Sequence, residues 1–388
     1  MASKQDIDTL LERLYKVASQ SDEARSELLD SLQSLQLRLE TPEDLNLRFV
    51  NLQIQLTGAQ IAEDLKLFQI LAESTHPLTV DELSSKTGVE ASLLRRILRY
   101  LASVDQNQET SQDTFAANKT TETLARPEYG GPIYHSFHSV GGLLQVFPQV
   151  LASAGYRDVE QVPHTAVRKA FSTDLTGFEW LRANPRQFKA FQQAMSVNPQ
   201  ARVPWFTVFP LEAELGAFLK ESSATAFVDI GGGFGHQCAA LASAFPSLKG
   251  RLVLQDMTHT LAIAPPLDGV EAMAHDFFGA QPVQGARFYY LRNVLHDWPR
   301  EKAVAILSRV REAMGPRSQV LVDEIVLPTS GAHWHATCMD MVMMTSVGAR
   351  ERTVDEWGEL LDDAGLRIVK IHTYLPRHQD SIIQAVAK

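Results

Sequence analysis

The sequence has little cysteine, no long apolar run and no excess of positive charge, and each absence excludes a class of protein. Two cysteines among 388 residues, Cys238 and Cys338, cannot form a disulfide framework, and neither lies in a metal-ligand spacing. No uninterrupted apolar run approaches the roughly 18 residues of a membrane-spanning helix. The formal net charge of −10 opposes general binding to nucleic acid or to an anionic membrane.

The rest of the composition is typical of a globular protein with more than one domain. Hydrophobic residues make up 45% of the chain, and the mean hydropathy is −0.12. A length of 388 residues exceeds one typical domain, so two or three are expected. The first ten residues contain no apolar signal core. Together with the scarce cysteine, this predicts a cytoplasmic location.

Helical patterns dominate the first part of the chain. Leucines recur at helical spacing within residues 5–40, and such an apolar face needs a partner, for which a second subunit is a candidate. Residues 59–104 have a winged-helix pattern, a unit that often binds DNA. Here five Lys and Arg face six Asp and Glu, a net charge of −1, which disfavours a DNA-binding regulator. We therefore interpret this unit as a structural and dimerising module.

From residue 223 onward, apolar segments alternate with helical ones. This alternation predicts a mostly parallel, doubly wound α/β sheet. The candidate strands are AFVDI, RLVLQD, GVEAMAHDF, ARFYYLRN and SQVLVDEIVL. The last two candidates, LRIVKIHTY and SIIQAVAK, are separated by a short polar turn and predict a terminal antiparallel hairpin.

The most informative segment is FVDIGGGFGHQCAAL, residues 227–241, which predicts a strand, a tight glycine turn and a helix. A dinucleotide-binding fingerprint has G-x-G-x-x-G, with Gly or Ala where His236 lies. The shorter spacing here, with Asp229 ahead of Gly231 and Gly233, resembles the S-adenosylmethionine (SAM) loop of class I methyltransferases. Asp229 would then face the ammonium of that cofactor. The alternative is an ordinary glycine-rich turn in another α/β fold.

Further polar residues follow the other predicted strands. In doubly wound sheets, ligands bind at the carboxyl ends of the strands. Asp256 is suited to ribose hydroxyls, and Asp276 with Phe277 to the edge and face of an adenine. The segments LRNVLHDW, residues 291–298, and VDE, residues 322–324, end the next two strands. Each signal alone is weak, but together they indicate one cleft.

These residues resemble the plant and fungal small-molecule O-methyltransferases of the caffeate and hydroxyneurine type. The motifs VDIGGGFG, LHDWP, VDEIVLP and GARERT carry the resemblance, which covers nearly the whole chain. It implies a class I methyltransferase fold, SAM as cofactor, a small-molecule substrate and a homodimer. The cofactor site would be lined by Asp229, Gly231, Gly233, Asp256, Asp276, Phe277 and Arg292. Arg292 is a departure, because plant members usually have Lys there.

The resemblance also implies a division into three parts. Residues 1–110 would form the helical leader and winged-helix dimerisation domain. Residues 111–222 would form a helical linker and substrate lid, and residues 223–388 the SAM-binding catalytic domain.

The catalytic residues implied by the resemblance are His296 as base, held by Glu324 and Glu351. A phenol has a pKa of about 10 and an imidazole about 6.5, so complete proton transfer in advance would cost roughly 5 kcal/mol. A carboxylate on the second ring nitrogen stabilises the imidazolium as attack proceeds. Two alternatives remain open. His296 could start a helix with Asp297 as its N-cap, and Glu351 could be a surface residue.

Contacts with the acceptor are expected from the lid, from the end of the fourth strand and from the methionine-rich CMDMVMM segment. The candidates are His135, His138, Phe191, Met195, Asn293, Met339 and Met343. His135 and His138 lie at helical i, i+3 spacing, so both could face a pocket. No third ligand has a recognisable spacing, and we expect no metal site.

Two functions are compatible with these residues. The first is methyl transfer from SAM to a phenolic or enolic hydroxyl of an aromatic or polyketide-like secondary metabolite. The second is known among fungal proteins of this type, which keep the SAM pocket but catalyse pericyclic or dehydration reactions without methyl transfer. There the sulfonium charge and lid His or Arg groups polarise a carbonyl, and Arg292 with His135 or His138 would serve here. The complete set of His296, Glu324 and Glu351 favours methyl transfer.

Overall fold

A computed structural model describes residues 4–158, 165–197, 203–221 and 224–388. The chain divides into two units, Met1–Ile133 and Tyr134–Lys388. The division into three parts at residues 110 and 222 stays a prediction. Within the described ranges, no helix combines the length and the apolar character needed to cross a membrane.

The first unit is mainly helical. Its helices are α1 (Lys4–Ala18), α2 (Asp22–Leu39), α3 (Pro42–Asp64), α4 (Leu67–Ala72), α5 (Val80–Thr87), α6 (Ala91–Ser103), α7 (Lys119–Leu124) and α8 (Pro127–Tyr134). A small sheet has the strand order β1-β3-β2, formed by β1 (Leu78–Thr79), β2 (Gln108–Ser111) and β3 (Thr114–Ala116). Helix α3 begins where the side chains of Thr41 and Asp44 cap each other's backbone N–H groups.

The two ends of this unit differ in how they bury their apolar side chains. Helices α4 to α6 pack around Leu83, Leu98 and Phe115, all of which are fully buried. Helices α1 and α2 have no buried residue, and Leu10 and Leu39 are 54% and 71% exposed. The predicted leader therefore forms helices with an uncovered apolar face.

The second unit begins with helices and continues with alternating strands and helices. The helices are a π-helix (His135–Val140), α9 (Gly141–Ser153), α10 (Thr165–Phe171), α11 (Gly177–Ala183), α12 (Pro185–Ser196), α13 (Leu211–Glu221), α14 (His236–Ala244), α15 (Thr258–Leu261), α16 (Arg300–Ala313), α17 (Trp334–Ser346) and α18 (Val354–Asp363). Short 3-10 turns cover Trp205–Thr207, Pro246–Leu248 and Leu295–Asp297. The strands are β4 (Phe227–Ile230), β5 (Leu252–Asp256), β6 (Val270–Ala274), β7 (Phe288–Arg292), β8 (Gln319–Leu327), β9 (Arg352–Thr353), β10 (Leu366–Leu375) and β11 (Asp380–Ala387).

The main sheet has the order β10-β11-β8-β7-β4-β5-β6, with β9 paired to the end of β8. Strands β4 to β8 run parallel, and β11 pairs antiparallel with both β8 and β10. The predicted parallel sheet and terminal hairpin are confirmed. One apolar layer contains Ile230 and Tyr289, and the other contains Phe227 and Tyr290, as expected for strands buried on both faces. The carboxyl ends of β4 to β8 consequently meet at one edge.

Candidate active site

The glycine turn between β4 and α14 leaves space at the carboxyl edge of the sheet. Gly231 and Gly233 have φ angles of +70° and +60°, in the left-handed region that favours glycine. A Cβ at Gly231 would lie 3.0 Å from Val294 Cγ2 and 3.7 Å from Phe277 Cε1. The N–H of Gly233 donates to Asp256 Oδ2 at 2.9 Å. The turn is thereby fixed against the ends of the neighbouring strands.

The carboxyl group of Asp229 lies below this turn and is 1% exposed. Burial raises the pKa of Asp229 to about 7, although Arg292 at the end of β7 acts to lower it. Asp276 and Phe277 follow β6, where Asp276 Oδ1 accepts the N–H of Phe278 at 3.0 Å. The predicted cofactor residues are therefore located at the ends of β4, β5, β6 and β7, and Asp229 interacts with Arg292.

The segment after β7 is shaped by one buried carboxylate. Asn293 has a φ of +50° and turns the chain out of the strand into the 3-10 turn at 295–297. Glu324 on β8 is fully buried. Its Oε1 accepts hydrogen bonds from the backbone N–H groups of Val294 at 3.0 Å, Leu295 at 2.9 Å and His296 at 3.4 Å. Glu324 therefore fixes the backbone that carries His296.

The His296 ring lies among three carboxylates. Its Nδ1 is 2.8 Å from Glu351 Oε1 and 3.4 Å from Glu324 Oε2. Its Nε2 is 3.7 Å from Asp297 Oδ1. The ligand atoms of His296, Glu324 and Glu351 lie within 4.8 Å of one another, an arrangement that could also hold a metal ion. Glu351 Oε1 is hydrogen-bonded to Nδ1 and Glu324 Oε1 to the backbone, whereas Glu324 Oε2 and Glu351 Oε2 are buried without a hydrogen-bond partner in the described part of the chain.

Three members of this cluster, His296, Glu324 and Asp297, have raised pKa values. Burial acts to lower the pKa of His296, but Glu324, Glu351 and Asp297 outweigh it, and the net direction is well above its ordinary value. Burial raises the pKa of Glu324 to about 7 and that of Asp297 to about 6, against the effect of His296. His296, Glu324 and Asp297 therefore compete for protons near neutral pH.

Glu351 is held in place from two sides. Its backbone N–H donates to Asp340 Oδ1 on α17 at 2.9 Å. The neighbouring Arg352 donates to the carbonyl oxygens of Leu295 at 2.9 Å and Trp298 at 2.8 Å. The loop that carries Glu351 is thus tied to the turn that carries His296.

The structure contradicts two alternatives left open by the sequence, a surface position for Glu351 and a helix N-cap at Asp297. Glu351 is 2% exposed, so it is not a surface residue. Helix α16 begins at Arg300 with Pro299 at the N-cap position, so Asp297 does not cap it.

The candidate acceptor residues lie on several elements. His135 and His138 belong to a π-helix, a widened turn that is often found at functional sites and that changes the α-helical spacing we expected. The His135 ring lies 5.5 Å from that of Phe191, and its Nδ1 is buried without a hydrogen-bond partner. The His138 ring lies 4.3 Å from that of Tyr134.

The remaining acceptor candidates lie on α12, on α17 and in the segment that precedes His296. Met339 and Met343 are half-buried on α17, and Met195 on α12 is 44% exposed. Asn293 directly follows the cofactor-side residue Arg292 and precedes the His296 turn.

The sequence alone assigned no role in the site to four residues that shape it. They are Asp297, Asp323, Asp340 and Arg352. Asp297, Asp323 and Arg352 lie inside the motifs LHDWP, VDEIVLP and GARERT, so the motifs were the available signal. Asp340 had no such signal, because its role depends on a contact with a loop eleven positions away.

Comparison with known proteins identifies the family. Residues 208–367 match the O-methyltransferase domain, and residues 59–125 match the O-methyltransferase dimerisation domain. The chain is 38% identical to demethylsterigmatocystin 6-O-methyltransferase of Aspergillus flavus over 384 residues, covering 99% of this chain and 98% of the relative. The chain belongs to the SAM-dependent O-methyltransferase family. Its predicted class I methyltransferase fold, its enzyme class and its cofactor are thereby confirmed.

Two solved structures resemble this chain over its whole length. A structure described as "A Pericyclic Reaction enzyme" is 34% identical, has a TM-score of 0.94 and covers 100% of both chains. The structure of the LepI complex with SAM has the same identity, TM-score and coverage. The family therefore includes near relatives with two kinds of activity, methyl transfer and pericyclic reaction.

Proposed function

We propose that this family member transfers the methyl group of SAM to a hydroxyl of an aromatic or polyketide-like secondary metabolite, with His296 as the base. The observation that carries the proposal is the His296 ring, whose Nδ1 is hydrogen-bonded to buried Glu351 at 2.8 Å. This bond fixes the tautomer that leaves Nε2 available to a substrate hydroxyl.

The residues at the carboxyl edge of the sheet fit the proposed cofactor. The Gly231 turn has no side chain where a Cβ would contact Phe277 and Val294. Buried Asp229 offers a carboxylate for an ammonium. Both oxygens of Asp256 accept backbone N–H groups, from Gly233 and Met257, and each has a further lone pair for a ribose hydroxyl. Asp276 and Phe277 would hold the adenine, and Arg292 would border the amino-acid end. When bound, the cofactor would supply an electrophilic methyl group on a sulfonium sulfur, and attack by a substrate oxygen on the methyl carbon would release that sulfur as a neutral thioether.

The proposed base must lose its own proton before it can act. The pKa of His296 lies well above its ordinary value, because the surrounding carboxylates outweigh its burial. In its neutral form, Nε2 would accept the hydroxyl proton as the substrate oxygen bonds to the methyl carbon, and the electron pair of the sulfur–methyl bond would remain on the cofactor sulfur. Glu351 then accepts a hydrogen bond from Nδ1–H and stabilises the imidazolium, while Glu324 keeps the ring in position.

The decisive experiment combines the purified protein with methyl-labelled SAM and a panel of hydroxylated aromatic polyketides. The panel includes demethylsterigmatocystin, which the name of one relative indicates as its substrate. We expect a product that gains one labelled methyl group, detected by mass spectrometry. The variant H296N should bind SAM with unchanged affinity but form no labelled product.

A matched control replaces another histidine. His372 is 8% exposed, and its Nε2 lies 3.2 Å from Gln384 Oε1 on the neighbouring strand β11. H372N removes a buried imidazole that is not part of the cluster and should retain methyl transfer. Full methyl transfer by H296N would refute the assignment of the base.

The second candidate is a pericyclic or dehydration reaction at the same cofactor-binding site. It is supported by the 34% identical structure described as a pericyclic reaction enzyme and by the buried, unpartnered Nδ1 of His135. Burial lowers the pKa of His135, so a neutral ring can donate one hydrogen bond to a carbonyl. A product of unchanged mass that persists in H296N but is lost in H135A would favour this candidate.

We further propose that the protein is a cytoplasmic homodimer. The match to the dimerisation domain and the exposed leucines of α1 and α2 support the second copy. Light scattering of the full chain should give twice the mass of 43.1 kDa, and a monomer would contradict the proposal. Fractionation of the producing cells tests the location.

A further inference from the structure

A second buried carboxylate, Asp323, lies next to Glu324 but has no part in the proposed base. Asp323 is fully buried on β8, and it is the register partner of Arg292 on the parallel strand β7. Successive side chains of a strand point to opposite faces. Asp323 therefore lies in the apolar layer that contains Tyr290 and Tyr374, away from the layer of His296.

Both oxygens of Asp323 are hydrogen-bonded to tyrosine hydroxyls. Tyr374 on β10 donates to Oδ1 at 2.8 Å, and Tyr290 donates to Oδ2. Arg292 Nε lies 3.7 Å from Oδ2, whereas a direct charge-assisted bond would be about 2.7–2.9 Å. The hydroxyls thus occupy the carboxylate, and Asp323 offsets the charge of Arg292 without binding it closely.

Packing fixes the tyrosine that lies on the same strand as Arg292. The ring of Tyr290 is stacked at 5.2 Å on Trp205, which is 1% exposed. Trp205 Nε1 in turn donates to Gln237 Oε1 at 3.1 Å. The hydroxyl of Tyr290 is therefore held against Asp323 by a rigid aromatic neighbour, not by a mobile side chain.

We propose that Asp323, with the hydroxyls of Tyr290 and Tyr374, is a positioning residue that keeps the Arg292 guanidinium directed toward the cofactor site. The inference rests on the proposed place of Arg292 in that site. Removal of one hydroxyl frees a lone pair on Asp323. The guanidinium then moves onto the carboxylate and away from the ligand, because a direct ion pair is stronger than one at 3.7 Å.

The first test is Y374F, measured by calorimetric titration with SAM. We expect its Kd for SAM to rise about tenfold while kcat at saturating SAM stays unchanged. The matched control is Y289F, since Tyr289 on β7 is also buried and its hydroxyl lies 2.7 Å from Val283 O and 2.9 Å from Ala313 O, away from Asp323. Y289F should leave the Kd for SAM unchanged. Equal Kd values for Y374F and wild type would overturn the proposal.

A double-mutant cycle separates positioning from a general structural effect. If Asp323 and its tyrosines act through Arg292, Y374F should have no further effect on the Kd for SAM in an R292M background. Independent effects that multiply would show that the tyrosine acts by another route and would overturn the inference. If R292M does not fold, R292K retains the charge opposite Asp323 and serves in the same cycle, where the effect of Y374F should fall below threefold.

The cycle does not depend on methyl transfer. If wild type binds SAM but forms no labelled product, the proposed reaction fails while the cycle still decides the role of Asp323. If wild type forms labelled product and the effects multiply, the further inference alone fails.

Discussion

Asp323 and Glu324 are adjacent on one strand, yet they hold two different cations by two different means. Asp323 lies between two tyrosine hydroxyls and Arg292. Glu324 accepts backbone N–H groups and lies 3.4 Å from His296, in a cluster that also contains Glu351. Both oxygens of Asp323 accept tyrosine hydroxyls, whereas Oε2 of Glu324 faces the same ring nitrogen of His296 as Glu351 does.

The difference shows how neighbouring carboxylates acquire separate tasks. Burial raises the pKa of Asp323, but Arg292 and both tyrosines oppose it, so the negative charge has partners that do not titrate near neutral pH. Burial raises the pKa of Glu324 to about 7, with Glu351 and Asp297 acting in the same direction. We infer that the Arg292 side provides a fixed charge, whereas the His296 side provides an exchangeable proton.

The largest expected effect comes from E351Q, which removes the anion on His296 Nδ1 but keeps the shape of the side chain. We expect kcat for methyl transfer to fall about a hundredfold, because the imidazolium loses its stabilising partner. The Kd for SAM should not change. That result would support the assignment of proton transfer to the His296 side and of cofactor binding to the Arg292 side. E359Q is the control, since Glu359 is an exposed acid on α18. A loss of SAM affinity in E351Q as large as its loss of kcat would contradict separate roles for the two sides.

The next prediction concerns the stability of the variant E324Q. Glu324 accepts backbone N–H groups at 3.0 and 2.9 Å while fully buried, and loss of its charge should lower the free energy of unfolding by about 1–3 kcal/mol. Glu351 makes no such backbone contacts through its side-chain oxygens among the described residues, so E351Q should cost less. Urea unfolding of both variants measures the difference. Equal losses would mean that Glu324 does not fix the turn.

The pH dependence of methyl transfer should follow the His296 side. The base acts only when neutral, and its pKa lies well above the ordinary value. The rate at saturating SAM should therefore rise as pH increases through and above neutrality. A rate that decreases over this range would contradict the assignment of His296 as the base.

The binding of SAM should depend on pH through Asp229, which interacts with Arg292 but lies outside the group of Asp323 and its two tyrosines. Asp229 has a pKa raised to about 7 by burial, and an ammonium favours its ionised form. Below that pH the Asp229 carboxyl must lose a proton when SAM binds. The Kd for SAM should therefore rise, by up to about tenfold for each unit by which the pH is lowered. D229N should bind more weakly, with a flat profile from pH 5 to 8. A sloping profile in D229N would assign the titration to another group.

Much of the fold could be predicted because its signals are local. The glycine spacing at Gly231 and Gly233, the alternation of strands and helices, and the polar turn before β11 each reside within a few residues. The π-helix at His135–Val140 could not be predicted, because the spacing of the two histidines indicates only a helix and π-helical turns are rare.

The sequence by itself determined which residues end the parallel strands, and therefore which side chains gather at one edge of the sheet. It did not determine which cation each of Asp323 and Glu324 would face. That choice depends on Tyr374 and Glu351, which come from distant segments and meet these acids only when the strands are paired. Because both acids are buried, these neighbours strongly influence their protonation: charges removed from water interact strongly with the few groups that surround them.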